Sequence, residues 1–184
     1  MSSGPPPEGT GAGAGGPARV GLTHVDSTGS ARMVDVSAKD VTVREAVAAG
    51  RVLVTPQVVA LLRGEGVPKG DALGVARVAG IMAAKRTPDL IPLCHPIALS
   101  GVVVDVSVAD DAVELTAKIR TADRTGVEME ALTAVSVAGL TIIDMVKAVD
   151  KGAVITDVRI VRKSGGRSGV WTRPDEEDRG VERP

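Results

Sequence analysis

Residues 90–96, LIPLCHP, hold the only cysteine of the chain beside one of its two histidines. Cys94 and His95 could serve as nucleophile and base, as metal ligands, or as parts of a rigid recognition loop. Neighbouring side chains of an extended loop point to opposite sides, and thiolate–imidazole pairs are normally built from residues distant in sequence. His24 could then be the partner of Cys94 instead. The competing reading of a lone cysteine is a small buried hydrophobe. With no second cysteine and no spaced histidines, the sequence supports no structural zinc site and no metal is expected. His95 is flanked by Pro92 and Pro96, which restrict the loop and lower the entropy lost in holding one pose. Its imidazole can hydrogen-bond a ligand or move a proton near neutral pH.

A second group lies in GVEMEALTAVSVAGLTIIDMVKAVD. At about 100° per residue, Glu130, Thr133, Ser136, Thr141, Asp144 and Lys147 share an arc of roughly 140°. Asp144 and Lys147 could be an ordinary i,i+3 ion pair on a solvated face. A solvated face would normally carry more Lys, Glu and Arg, and the small Thr, Ser and Ala around these charges suit a packed interface or a pocket better. A third group is RKSGGRSG, residues 162–169, where Arg162, Lys163 and Arg167, with nearby Arg159, surround glycines able to form an anion nest. A flexible basic tail has the same composition. Lys69, Lys85 and Arg86 add positive charge near helix ends. The sequence has no GxxxxGK[ST] match, and GVPKGD resembles one only superficially.

The elements that must position these groups fit in one domain of a 184-residue chain. Residues 1–18, rich in Gly, Pro and Ala, are expected to be a disordered tail with no secretory signal. Residues 19–173 are expected to form a single α+β domain that carries the candidate catalytic groups, and residues 174–184 a flexible charged tail. Phe and Tyr are absent, Trp171 is the sole aromatic, and the net charge is −1. That combination argues against nucleic-acid partners, which call for stacking platforms and a basic groove. No uninterrupted apolar run suggests a membrane span, and a single cysteine fits a reducing cytoplasm.

ARMVDVS alternates as a strand. TVREAVAAGRVLV is ambiguous: Thr42 and Glu45 could make a capping box, while the β-branched ending favours an extended chain. Thr55-Pro56 opens a short helix closed by Gly64. Asp71 caps a second helix that stops before Thr87-Pro88. SGVVVDVSVAD and AVELTAKIR read as a hairpin turning at Asp110-Asp111. A long helix and a final strand, AVITDVRIVRK, follow. The order strand, helix, strand, strand, helix, strand predicts an α+β ferredoxin-like sandwich, an antiparallel sheet with helices packed on one face.

HVDSTGSARMVDVSAK, KGDALGVARVAGIMAAKRTPDLIPLCHP, GVEMEALTAVSVAGLTIIDMVKAVDKG and KSGGRSG, in that order and without large gaps, resemble the cyclic pyranopterin monophosphate synthase family of molybdenum cofactor biosynthesis. The resemblance implies conversion of 3′,8-cyclo-7,8-dihydroguanosine 5′-triphosphate into cyclic pyranopterin monophosphate and diphosphate, a phosphorus–oxygen lyase reaction without a cofactor. It also implies a ferredoxin-like fold and a homohexamer, a trimer of dimers with the active site at the dimer interface.

By motif, Asp144 matches the family's catalytic aspartate and Lys147 its partner lysine. Leu93, Cys94 and His95 match one substrate-binding segment, and Met129 and Glu130 another, beside Glu128. Lys69 and Lys85 match active-site lysines, while Lys163 and Arg167 fall in the basic glycine-rich motif. The sequence departs from the family pattern at Ile143, Val146 and Arg167, where Tyr, Cys and Lys are usual. Arg167 keeps the phosphate-binding charge with a different geometry. Two other readings use the same residues: a non-catalytic nucleotide-binding domain that dispenses with Asp144, and a thiol enzyme built on Cys94 and a histidine.

Overall fold

TVREAVAAGRVL, where helix and strand signals compete, is the central strand of the protein. The computed structural model describes residues 29–64 and 70–177. It divides into two units, Met1–Arg32 and Met33–Pro184, and the second carries the architecture below. The disordered tail expected over residues 1–18, together with His24 and Lys69, lies outside the described residues.

Strand β1 (Thr42–Leu53) is followed by helices α1 (Pro56–Arg63) and α2 (Ala72–Ala84) and a four-residue helical turn, α3 (Thr87–Leu90). The hairpin β2 (Leu99–Val108) and β3 (Ala112–Asp123) comes next, then α4 (Glu128–Val146), β4 (Val154–Ser164), a short β5 (Trp171–Thr172) and a last turn, α5 (Pro174–Glu177). The sheet order is β2-β3-β1-β4-β5, with every pairing antiparallel. This is the expected α+β sandwich with one extra edge strand. The opening strand of the expected order is β1 itself.

β1 is extended because both its edges are used, by β3 and by β4. Its inward side chains, Ala46, Ala48 and Val52, are buried under the helices, whereas a helix over the same residues would leave the facing edges of β3 and β4 unpaired. The small residues let α4 lie close. A Cβ at Gly50 would come within 2.7 Å of Val135 Cγ1. Leu115, Ile119, Ile142 and Val146 fill the layer between sheet and α4. α4 is long and apolar enough to cross a membrane, but here it is a core helix with its apolar side buried against the sheet.

The local signals set the other helices. Asp71 Oδ1 accepts from the Gly74 amide at 2.8 Å, a side-chain cap that starts α2. Pro56 occupies the first turn of α1 and Gly64 its C-cap, but the Thr55 side chain makes no cap. Instead the Thr55 amide donates to buried Asp150, whose other oxygen accepts from the Gly152 amide.

ARMVDVS is not a strand. Residues 32–36 carry no regular secondary structure. Alternation specifies a face, yet a strand also needs a partner edge, and here two of the backbone acceptors go to side chains and the Val36 carbonyl to the nearby Lys39 amide. The Val34 carbonyl accepts from His95 and the Ser37 carbonyl from Arg124. The charged ending begins with the α5 turn, where buried Glu176 pairs with Arg159, so ordered structure runs beyond residue 173.

Candidate functional site

The LCHP loop is the chain's route from α3 into β2. The Cys94 amide donates to the Ile91 carbonyl at 3.0 Å, closing a turn around Pro92 and Leu93. His95 Nε2 lies 2.7 Å from the Val34 carbonyl oxygen. Leu93, Cys94 and His95 are all half-buried. Burial, and after it the negative charge of Glu130, push the Cys94 thiol above its ordinary range. A thiol held in that direction is less available as a thiolate at neutral pH, which weakens the nucleophile reading and favours a packing role.

Glu130 is the unusual group. It lies in the first turn of α4 with only 3% of its surface exposed. Burial pushes its carboxyl up to about 7, its own backbone amide acts in the opposite direction, and the Glu128 charge adds to the rise. Near neutral pH this carboxyl is poised to hold or release a proton, as acid–base chemistry requires. Glu128, one residue from half-exposed Met129, pairs with Lys163 of β4 at 3.0 Å. Cys94, Glu128, Glu130 and Lys163, drawn from a loop, a helix start and a strand end, therefore form one neighbourhood.

The glycine-rich stretch is an ordered turn rather than a basic tail. Residues up to Ser164 belong to β4, and Gly165 and Gly166 follow in the left-handed region at φ +95° and +67°. A Cβ at Gly165 would run into the Val43 carbonyl, and one at Gly166 into the Arg44 guanidinium. The four cations do not converge on one nest. Arg159 is held by Glu176, Arg162 by Glu45 at 3.4 Å, and Lys163 by Glu128. Arg167 is exposed on the turn.

The remaining candidates lie elsewhere. Asp144 and Lys147 form a 2.7 Å ion pair near the C-terminal end of α4, with side chains 56% and 59% exposed. Lys85 is exposed at the C-cap of α2. The polar arc of α4 thus changes character along its length. Glu130 and Thr133 are buried, Thr141 Oγ1 is turned back to the Val137 carbonyl at 2.8 Å, and the Asp144–Lys147 pair faces solvent. In one chain the Glu130 and Asp144 neighbourhoods are separated by most of the helix.

Two arginines missed in the sequence organise the first neighbourhood. Arg44 Nε donates to the Asp123 carbonyl at 2.9 Å and Nη2 to the Arg124 carbonyl at 3.1 Å, fixing the exit of β3 ahead of α4. The same guanidinium lies beneath Gly166. Arg124 in turn donates from Nη1 to the Ser37 carbonyl. Both bind backbone carbonyls, which every residue possesses, so no sequence pattern marks their partners.

Residues 33–166 match the MoaC family. A protein of Streptomyces coelicolor named cyclic pyranopterin monophosphate synthase is 77% identical over 152 residues, covering 83% of this chain and 89% of the relative. One of the same name from a Nocardioides species is 71% identical over 156 residues, 83% of this chain and 96% of its own. The Mycobacterium tuberculosis protein named cyclic pyranopterin monophosphate synthase 2 is 62% identical over 152 residues, 83% of this chain and 91% of its own.

Proposed function

The chain belongs to the MoaC family, and on that premise we propose that it is a cyclic pyranopterin monophosphate synthase acting in molybdenum cofactor biosynthesis. Its substrate is the cyclised dihydro-GTP 3′,8-cyclo-7,8-dihydroguanosine 5′-triphosphate, and its products are cyclic pyranopterin monophosphate and diphosphate. The observation that carries the reading is the family match over residues 33–166, which contains every candidate-site residue except Arg167.

The chemistry asks for two things. Ring opening and closure are proton transfers, and they need groups that exchange protons near neutral pH. Glu130, with its raised carboxyl, is such a group, and the Asp144–Lys147 ion pair is assigned to the same acid–base work. A ribose hydroxyl oxygen then forms a bond to the α-phosphorus and gives up its proton, while the bond from that phosphorus to the bridging oxygen breaks and diphosphate leaves. Charge grows on the departing oxygen, so this phosphorus–oxygen lyase step needs cations placed where it develops. Lys163, Arg167, Lys85, Lys69 and Lys147 are assigned to that role. His95 and Met129 orient the ring system, with Leu93 and Cys94 shaping its pocket.

We also assign the site to a dimer interface within a homohexamer, a trimer of dimers, in the cytoplasm. What supports the shared site is distance. Glu130 and Asp144 are about 21 Å apart along α4 at about 1.5 Å per residue, and side chains of that length do not meet on one reacting centre. A second α4, antiparallel across a two-fold axis, would bring each beside the other's counterpart.

The deciding experiment is incubation of the purified protein with the cyclised intermediate, followed by product mass and diphosphate release. Equimolar cyclic monophosphate and diphosphate are expected. Binding without conversion would overturn the synthase reading in favour of a nucleotide-binding domain.

A further inference from the structure

His95 is held by one atom of a segment that belongs to neither helix nor sheet. Its Nε2 lies 2.7 Å from the Val34 carbonyl oxygen. A carbonyl oxygen can only accept, so the hydrogen of that bond must sit on Nε2. In a neutral imidazole the other nitrogen, Nδ1, then carries a lone pair and can only accept. The tautomer of His95 is set from outside its own loop.

The segment that sets it is itself tied down. Asp35 Oδ1 accepts from the Ser37 amide at 2.8 Å, which folds residues 35–37 into a tight turn. The Lys39 amide donates to the Val36 carbonyl at 3.0 Å. The Arg124 guanidinium donates to the Ser37 carbonyl, and the Arg124 carbonyl is gripped by Arg44. Val34 is therefore anchored, through Ser37, Arg124 and Arg44, to the end of β3 and the start of β1. The end of β3 leads directly into α4 and its first-turn carboxylates.

We infer that residues 33–37 are a positioning strap that locks His95 as the Nε2–H tautomer through the Val34 carbonyl, so that Nδ1 is the acceptor offered to a hydroxyl or ring N–H of the substrate. Arg124 and Arg44 are positioning residues for that lock, acting through Ser37 and never on the substrate. The segment with strand-like alternation stays out of the sheet with its Val34 carbonyl committed to His95, its Ser37 carbonyl to Arg124 and its Val36 carbonyl to the Lys39 amide. The use of Nδ1 by substrate rests on the synthase reading; the tautomer does not.

The test is a long-range proton–nitrogen NMR correlation on the full chain labelled with 15N-histidine, at a pH above the imidazole titration. His24→Gln removes the other histidine's signals. A pyrrole-type Nε2 and a pyridine-type Nδ1 are expected for His95, and the reverse pattern or an averaged one overturns the lock. The functional arm compares His95→Gln with His95→Asn, because the glutamine amide nitrogen falls near the place of Nε2 and the asparagine oxygen can take that of Nδ1. Glutamine should keep a wild-type Tm, still donating to Val34, yet turn over at least about tenfold more slowly than asparagine. Equal rates or the opposite ranking would overturn the role of Nδ1. Failure of the synthase reading would leave the NMR result standing, so the two failures are separable.

Discussion

Glu128 and Lys163 meet at 3.0 Å, joining the first turn of α4 to the end of β4. The pair closes one side of a neighbourhood whose other members are buried Glu130 and half-buried Cys94. The Asp144–Lys147 pair, at the far end of the same helix, is built from neighbouring turns and faces solvent. These different environments separate the expected effects of mutation at the two ends.

Asp144→Asn should leave the fold intact and abolish nearly all turnover. Exposed ion pairs contribute only about 0–1 kcal/mol, so Tm should barely move. An amide cannot exchange a proton as a carboxylate does, and a loss of about 100-fold or more in kcat is expected. Near-normal product formation by the folded variant would remove Asp144 from the chemistry.

Cys94→Ser should be tolerated better than His95→Ala. The Cys94 thiol is pushed away from the thiolate form by burial and by Glu130, in keeping with the proposed role in shape, which serine roughly preserves. Alanine at position 95 removes both the bond to Val34 and the second ring nitrogen. Steady-state kinetics on both variants decide it; a dead Cys94→Ser beside a mildly affected His95→Ala would restore the thiol enzyme.

Glu130→Gln should stabilise the protein at high pH. The folded-state carboxyl titrates at about 7, above its ordinary value of 4.5. Between those values the folded state binds the proton and the unfolded state has released it. Wild-type stability therefore falls as pH rises through that window and stays at its lower level above it. Glutamine does not titrate, so its Tm advantage should grow by a few degrees from pH 4.5 to pH 7 and then level off. Thermal melts across that range check the sign, and a constant difference would refute the buried-proton assignment. Turnover should fall in the same variant.

Mixing inactive Glu130→Ala and Asp144→Asn proteins, after dissociation and reassociation, should restore part of the activity. Hybrid dimers would carry one intact site, with Glu130 from one copy and Asp144 from the other. If verified heterodimers recover nothing while each parent is folded and dead, the site is not shared.

Gly165→Ala should destabilise the protein by at least about 1–3 kcal/mol in denaturant titration, since φ +95° is strained for any residue with a Cβ. The new Cβ would also run into the Val43 carbonyl. The displaced turn carries Arg167, so KM should rise with the loss of stability. An unchanged midpoint would show that the turn adapts freely.

Local chemistry was legible in the sequence wherever a signal and its structural partner lie close along the chain. The period-two runs around Asp110-Asp111 gave the hairpin, Asp71 the start of α2, and Gly64 the end of α1. Asp144 and Lys147, three residues apart, were predictable as a pair from helical geometry alone. The motif resemblance covered the family, and with it the candidate residues themselves.

Tertiary structure decided whatever depends on a distant partner. Thr42–Leu53 is a strand because β3 and β4 claim its two edges, which a capping-box pattern cannot reveal. The segment before it alternates yet stays out of the sheet, with its Val34 and Ser37 carbonyls taken by His95 and Arg124 and its Val36 carbonyl by the Lys39 amide. Arg159, Arg162 and Lys163 read as a single basic cluster, but a strand with bulges aims them at three different carboxylates. Glu130 looks in the sequence like any first-turn acid of a helix. Only packing against the rest of the chain removes its water and raises its carboxyl, because the cost of desolvating a charge depends on what surrounds it in space, not on its neighbours in sequence.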